Sequence, residues 1–158
     1  MSIAAADIIV RSATNADAPR VQELVFGVLR EYGLEPDPET DADISDIEKH
    51  YLNRGGVFEV LEDARGKLLG SVGLYPIDST TVELRKMYFC PQLRGLGLGK
   101  KMLERMIAAA RAMGYGRIYL ETAAVLKTAA ALYEKHGFQE TTDGMRSCRC
   151  DKAYVLTL

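Results

Sequence analysis

The amino-acid sequence predicts an α/β or α+β fold. Three observations carry that expectation. Apolar runs at strand spacing and at helix spacing alternate along the chain in the order β-α-α-β-β-β-α-β-α-β, with room for a further short strand at 138–141. A hydrophobic content of 47% over 158 residues can bury one sizeable core, so the chain reads as a single domain, 1–158. A glycine-rich loop also joins a strand to a helix, where backbone amides gather.

Residues 8–11 read as the first strand. Asn15 or Asp17 can cap the helix that follows, and Pro19 lies in its first turn, where a missing N–H costs little. Val21, Leu24, Val25, Val28, Leu29 and Tyr32 recur at helical spacing until Gly33. The stretch 35–48 holds seven acidic residues and no basic one. Its second half reads as another helix, with Ile44, Ile47 and Tyr51 facing inward. Residues 57–63 and 67–75 read as a hairpin around Asp63-Ala64-Arg65-Gly66, with glycine at the left-handed position.

The next strand, 81–90, changes phase. Val82 and Leu84 share one face, whereas Met87 and Phe89 fall on the other. A one-residue bulge at Arg85 or Lys86 returns both pairs to the core, and a bulge re-aims a strand. The helix over 98–113 places Leu98, Met102, Leu103, Met106, Ile107, Ala110 and Met113 on its buried side. Gly114 and Gly116 end it. A buried strand at 118–121, a helix over 127–136 stopped by Gly137, a turn at 142–144 and a strand at 153–158 complete the order.

The loop Arg94-Gly95-Leu96-Gly97-Leu98-Gly99-Lys100 carries the chemistry. Its glycines let the backbone bend sharply and keep side chains away from a ligand. The first amides of the following helix have no helical partners, and the dipole adds positive potential there. Arg94 and Lys100 add formal charge at the edges. Such a loop suits a pyrophosphate. A Walker A loop does not fit, because Gly95 to Gly99 is one residue short and Lys101 stands where the metal-binding hydroxyl belongs. A dinucleotide fingerprint does not fit either: the spacing is G-x-G-x-G, late in the chain.

The spelling R-x-x-G-x-G, at Arg94, Gly97 and Gly99, resembles the coenzyme A loop of the GNAT superfamily of N-acetyltransferases. Glu83-Leu84-Arg85-Lys86-Met87-Tyr88-Phe89-Cys90-Pro91 is similar to that family's fourth strand. Leu132-Tyr133-Glu134-Lys135-His136-Gly137-Phe138 is similar to its L-Y-x-x-x-G-F motif. The opening Val10-Arg11-Ser12-Ala13-Thr14 with Asp17 also resembles the family, less specifically. The resemblance implies a mixed, splayed β-sheet, flanked by helices on both faces and split into a V between its fourth and fifth strands.

It also implies acetyl transfer from acetyl-CoA to a primary amine by direct attack in a ternary complex. The alternative of the same fold is a non-catalytic acyl-CoA-binding or sensing module. By this resemblance the backbones of Met87 and Phe89 pair with the pantetheine arm, and residues 94–100 hold the pyrophosphate. Glu83 is the candidate base for the amine proton, often through a water in relatives. Its alternative is an exposed strand glutamate paired with a cation such as Arg85. Tyr133 is the candidate acid for the leaving thiolate. Its alternative is a ring packed beside Leu132 and Phe138. Many relatives carry asparagine seven residues before this tyrosine, where it helps hold the coenzyme. Leu126 stands there instead, and Lys127 or Thr128 replaces that contact only in part. The acidic stretch 35–48 reads either as solvated charge or as a lip that draws cationic acceptors, and Tyr32 and Tyr51 as wall residues or core.

Other classes lack support. A net charge of −2, a pI of about 5.7 and no basic block exclude the usual footprint of nucleic-acid binding. There is no long apolar span to meet a membrane and no cleavable signal pattern in the first ten residues, so the cytoplasm is the expected location. Cys148-Arg149-Cys150 supplies at most two sulfurs for a metal, with no second pair at zinc-like spacing, so no metal is expected. No Cys–His pairing suggests a cysteine nucleophile. The expected partner is a small-molecule or peptide amine. The resemblance also leaves room for a homodimer.

Overall fold

Side-chain alternation along the strands decides which residues meet. The structure, a computed structural model, describes residues 3–144 and 147–158. In chain order its elements are β1 (Ile9–Ser12), α1 (Ala18–Glu31), α2 (Ile47–His50), β2 (Val57–Glu62), β3 (Leu68–Pro76), β4 (Thr81–Phe89), α3 (Leu98–Ala112), β5 (Arg117–Thr122), α4 (Lys127–Lys135), β6 (Gln139–Thr141) and β7 (Lys152–Thr157). The strands form one seven-stranded sheet in the order β1-β2-β3-β4-β5-β7-β6. All neighbours are antiparallel except β4 and β5, which are parallel.

Each face of the sheet has its own apolar layer. On one face, α3 sets Met102, Leu103, Met106 and Ala110 against Val72, Leu74, Val82 and Leu84, and α4 adds Tyr133. On the other, Val21, Val25 and Leu29 of α1 meet Ile44, Ile47, Tyr51, Phe58 and Val60. This is the α/β architecture that the sequence pattern predicts, with the mixed sheet and helices on both faces that the family resemblance implies. Two local expectations need correction. The second helix is broken into a 3-10 turn, Ala42–Ser45, and the four-residue α2, because Asp46 adopts φ −145° and ψ 82° and caps Lys49 with its side chain. Met113 is 38% exposed, since α3 stops at Ala112 and the chain turns away through Gly114.

The V is visible in the register. β4 and β5 pair only over Thr81–Arg117, Val82–Ile118 and Glu83–Tyr119. Beyond Glu83 they diverge. The cause lies in β4 itself. Between Ser71–Tyr88 and Gly73–Arg85 the pairing with β3 shifts, so Lys86 and Met87 together face Val72. Lys86 is the extra residue, with φ +56°. Arg85 and Lys86 therefore reach to the same side, towards Asp43, and Met87 and Phe89 return to the core face of Val82 and Leu84.

Candidate active site

A cleft of about 1090 Å³ opens where β4 and β5 separate, between the loop at 94–100, α4, the segment 37–40 and the loop 147–150. Its head is the glycine loop. Gly95 and Gly97 sit at φ +82° and +74°, conformations that other residues avoid, and the space where their side chains would point is open. Gly99 has ordinary backbone angles and lies against Leu132. The first capping bond of α3 is Lys101 N–H to the Gly97 carbonyl, 3.1 Å. None of the six preceding amides, residues 95 to 100, makes a close, well-aligned hydrogen bond to a described residue, although the chain turns tightly over 94–97. This is the unpartnered helix start that suits an anion. Lys100 lines the cleft beside it, whereas the Leu96 side chain packs on the core.

Arg94 departs from the expectation of charge held ready for the loop. Its guanidinium pairs with Glu31 of α1, accompanied by a 3.0 Å bond to the Phe89 carbonyl, and it lies 5.5 Å from the Tyr32 ring centroid. The Glu31 carboxylate holds its pKa up, and the guanidinium lowers that of Glu31 in turn. Met87 and Phe89 are oriented by their neighbours. The Lys86 carbonyl is taken by the Ser71 hydroxyl, and the Cys90 amide by the Leu69 carbonyl, both on the β3 side. Across these planar peptides the Met87 amide and the Phe89 carbonyl point away from β3, on the side that β5 has left, where Arg94 holds the Phe89 carbonyl.

Glu83 stands at the last paired rung of β4. It is 6% exposed and not the exposed strand glutamate of the alternative reading, although the pairing with Arg85 is present at 2.9 Å. The Arg85 guanidinium stacks 3.8 Å from the Tyr75 ring centroid and reaches Asp43 at 3.9 Å. Asp43 accepts a short hydrogen bond from the Tyr51 hydroxyl. Burial, then the Asp43 charge, raises the Tyr51 pKa, so this phenol stays protonated.

Tyr133 lines the cleft from α4. Its ring packs against Phe138 and Tyr154, at centroid distances of 5.7 and 6.1 Å, so packing and cleft exposure coexist. Its hydroxyl has no hydrogen-bond partner among the described residues. Burial, followed by the nearby Tyr88 and Cys150, pushes its pKa up. Leu126, Lys127 and Thr128 line the same wall.

The sequence reading missed one group of residues. Asp41 and Asp43 are 6% and 4% exposed, not solvated. Lys86 Nζ lies 3.2 Å from Asp41 and 3.1 Å from Asp43, and Arg149 donates to both oxygens of Asp41 at 2.7 and 2.9 Å. Burial pushes the Asp41 pKa up, but Arg149, the Asp37 amide and Lys86 outweigh it and leave it lowered. An acidic run facing a bulge lysine was the available signal. The cysteines beside Arg149 are free, and the described residues contain no cluster suited to a metal.

Comparison with known proteins agrees with this geometry. The model of the acetyltransferase (GNAT) family matches residues 22–138. The chain belongs to that family. It is 38% identical over 144 residues to the uncharacterized N-acetyltransferase YjgM of Escherichia coli K12, covering 87% of this chain and 86% of that protein. A crystal structure of an acetyltransferase from Streptococcus agalactiae superposes with a TM-score of 0.87 at 29% identity, over 96% of this GNAT chain and 99% of the other. A GNAT superfamily phosphinothricin acetyltransferase from Sinorhizobium meliloti, solved with acetyl-CoA, shares the fold with a TM-score of 0.70, at 20% identity over 94% and 86% of the two chains. The chain spans only 46% of human N-acetyltransferase 8, to which it is 34% identical over 105 residues, 63% of this chain.

Proposed function

We propose that this GNAT protein transfers acetyl from acetyl-CoA to a primary amine by direct attack within the cleft. The observation that carries the reading is the row of amides 95 to 100, none of them held in a close, well-aligned hydrogen bond to a described residue, at the head of a cleft whose other side is the β4 edge that β5 has left. The loop fits a diphosphate by its donors and by the open space over Gly95 and Gly97. The β4 edge fits an extended amide-bearing arm at Met87 and Phe89. The acetyl-CoA held by the Sinorhizobium meliloti relative supports the same ligand here.

Acetyl-CoA, when bound, supplies an activated acetyl group as a thioester. Residues 94–100 hold its diphosphate, with Lys100 supplying charge and Arg94 available on leaving Glu31. Glu83 takes the proton of the attacking amine at its carboxylate, directly or through a water. Arg85 and the strand hold that carboxylate in place. Tyr133 remains protonated because of its raised pKa, and its hydroxyl donates to the departing sulfur. Cys150 has its pKa raised by burial, which argues against a thiolate nucleophile and for direct attack.

Calorimetry with acetyl-CoA, joined to thiol release over an amine panel, tests the reading. Binding with turnover on an amine is expected. Binding without turnover on any amine favours a sensing module, and no binding at millimolar coenzyme removes both.

A further inference from the structure

The divergence of β4 and β5 leaves two arms, and one residue reconnects them at the acceptor end of the cleft. The loop 147–151 belongs to the β5–β7 arm. Its Ser147 amide donates to Glu121 at 2.8 Å, its Asp151 amide to the Thr122 carbonyl at 3.2 Å, and its Asp151 carboxylate accepts from the Ala124 amide at 2.7 Å. All three anchors lie on β5 or just beyond it. Arg149 alone among these contacts crosses the gap. It reaches Asp41, 108 residues away in sequence, with a two-pronged pair whose side chains are 10% and 3% exposed. Asp41 is in turn fixed to the β4 arm by Lys86. A planar guanidinium on a carboxylate sets direction as well as distance, which a lysine cannot do.

The position of this bridge gives it a consequence. Asp37, Glu39 and Thr40 line the cleft just before Asp41, and Cys148 and Cys150 flank Arg149 on the opposite wall. We propose that Arg149 is a positioning residue that sets the width of the acceptor chamber, by clamping the 147–151 loop onto the Asp41 segment. Amines too bulky for the clamped chamber are kept from Glu83. The selectivity rests on the acetyltransferase reading above; the clamp itself does not.

Two measurements separate the two. In a background of Cys90→Ser and Cys148→Ser, the Cys150 thiol is labelled with an aryl disulfide, read by release of the aryl thiolate. Arg149→Ala and Asp41→Asn should each speed labelling by about 10-fold or more, as a local opening would, and Arg149→Lys should fall between. Arg149→Ala leaves Asp41 paired with Lys86, so no buried charge is orphaned. Should it still fail to fold, Asp41→Asn and Arg149→Lys decide. Unchanged labelling overturns the clamp, whatever the protein's activity. With the native cysteines, Arg149→Ala should raise kcat/KM for benzylamine relative to methylamine, leaving acetyl-CoA affinity unchanged. Faster labelling with an unchanged ratio overturns the role in selectivity. Faster labelling with no turnover on any amine upholds the clamp and counts against the acetyltransferase reading.

Discussion

The carboxylate of Glu83 accepts a 2.9 Å hydrogen bond from Arg85, two positions along the same strand and on the same side of it. The pair lies at the point where β4 loses its parallel neighbour: Glu83 is the last residue of β4 paired with β5, and both side chains line the cleft. Arg85 has a second acid within reach in Asp43 and an aromatic face in Tyr75. It therefore stays in place if Glu83 loses its charge.

Glu83→Gln is accordingly expected to fold normally and to lower kcat about 10²-fold, the usual contribution of a general base. The rise of rate with pH should flatten, and acetyl-CoA affinity should hold. Stopped-time assays across pH, with calorimetry for the coenzyme, check this. An unaltered profile rejects Glu83 as the base.

Tyr133→Phe removes a hydroxyl that has no partner among the described residues, so thermal stability should move by less than about 0.5 kcal/mol. Turnover should fall about 10²-fold if the hydroxyl serves the departing sulfur. Unchanged turnover at unchanged stability would assign the ring to packing alone.

Gly97→Ala and Gly99→Ala should behave differently. Gly97 has φ +74° and open space above it, so alanine costs about 1–2 kcal/mol in backbone conformation without a clash. Gly99 is in the first turn of α3 with ordinary angles, and its added methyl would lie 3.5 Å from Leu132. There alanine should leave the melting temperature equal or higher and weaken coenzyme A binding by crowding the ligand. A lower melting temperature for Gly99→Ala would mean the glycine serves helix packing instead.

Asp17 predicts a pH dependence. It accepts two bonds from Arg11, one from Arg20 and one from the Thr14 amide. The Arg11 bonds, against the cost of burial, hold its pKa down at about 2. A depressed carboxylate stabilises the fold above its unfolded pKa and loses that contribution as pH falls through the folded value. Asp17→Asn should thus cost about 1–2 kcal/mol at neutral pH. The difference from wild type should persist down to about pH 4 and shrink towards pH 2. Denaturant melts at both ends of that range measure it.

What the sequence made legible was local. The phase slip between Val82–Leu84 and Met87–Phe89 located the bulge, because a period of two leaves no other way to bury both pairs. The glycines at 95 and 97 announced their own backbone angles. Pairings between distant segments left no such mark. Nothing near Arg94 indicates that Glu31, 63 residues earlier, takes its guanidinium. Nothing in the acidic run says which acids are buried: Asp41 and Asp43 meet Lys86 and Arg149, whereas Asp46 is used to cap α2. Charge is written in the sequence, but its burial depends on the far side of the fold.

Lys86 makes residue number itself part of the design. Deleting this one position would merge the two pairing registers with β3 and leave Met87 and Phe89 on the core face, but it would remove the bulge that re-aims β4 and the amine beside Asp41 and Asp43. The hairpin tip at 63–66 can absorb a change in length because only its own turn is disturbed. An insertion-and-deletion scan should find coenzyme A binding kept when the tip changes length and weakened when Lys86 is deleted, a boundary that substitutions alone would never reveal.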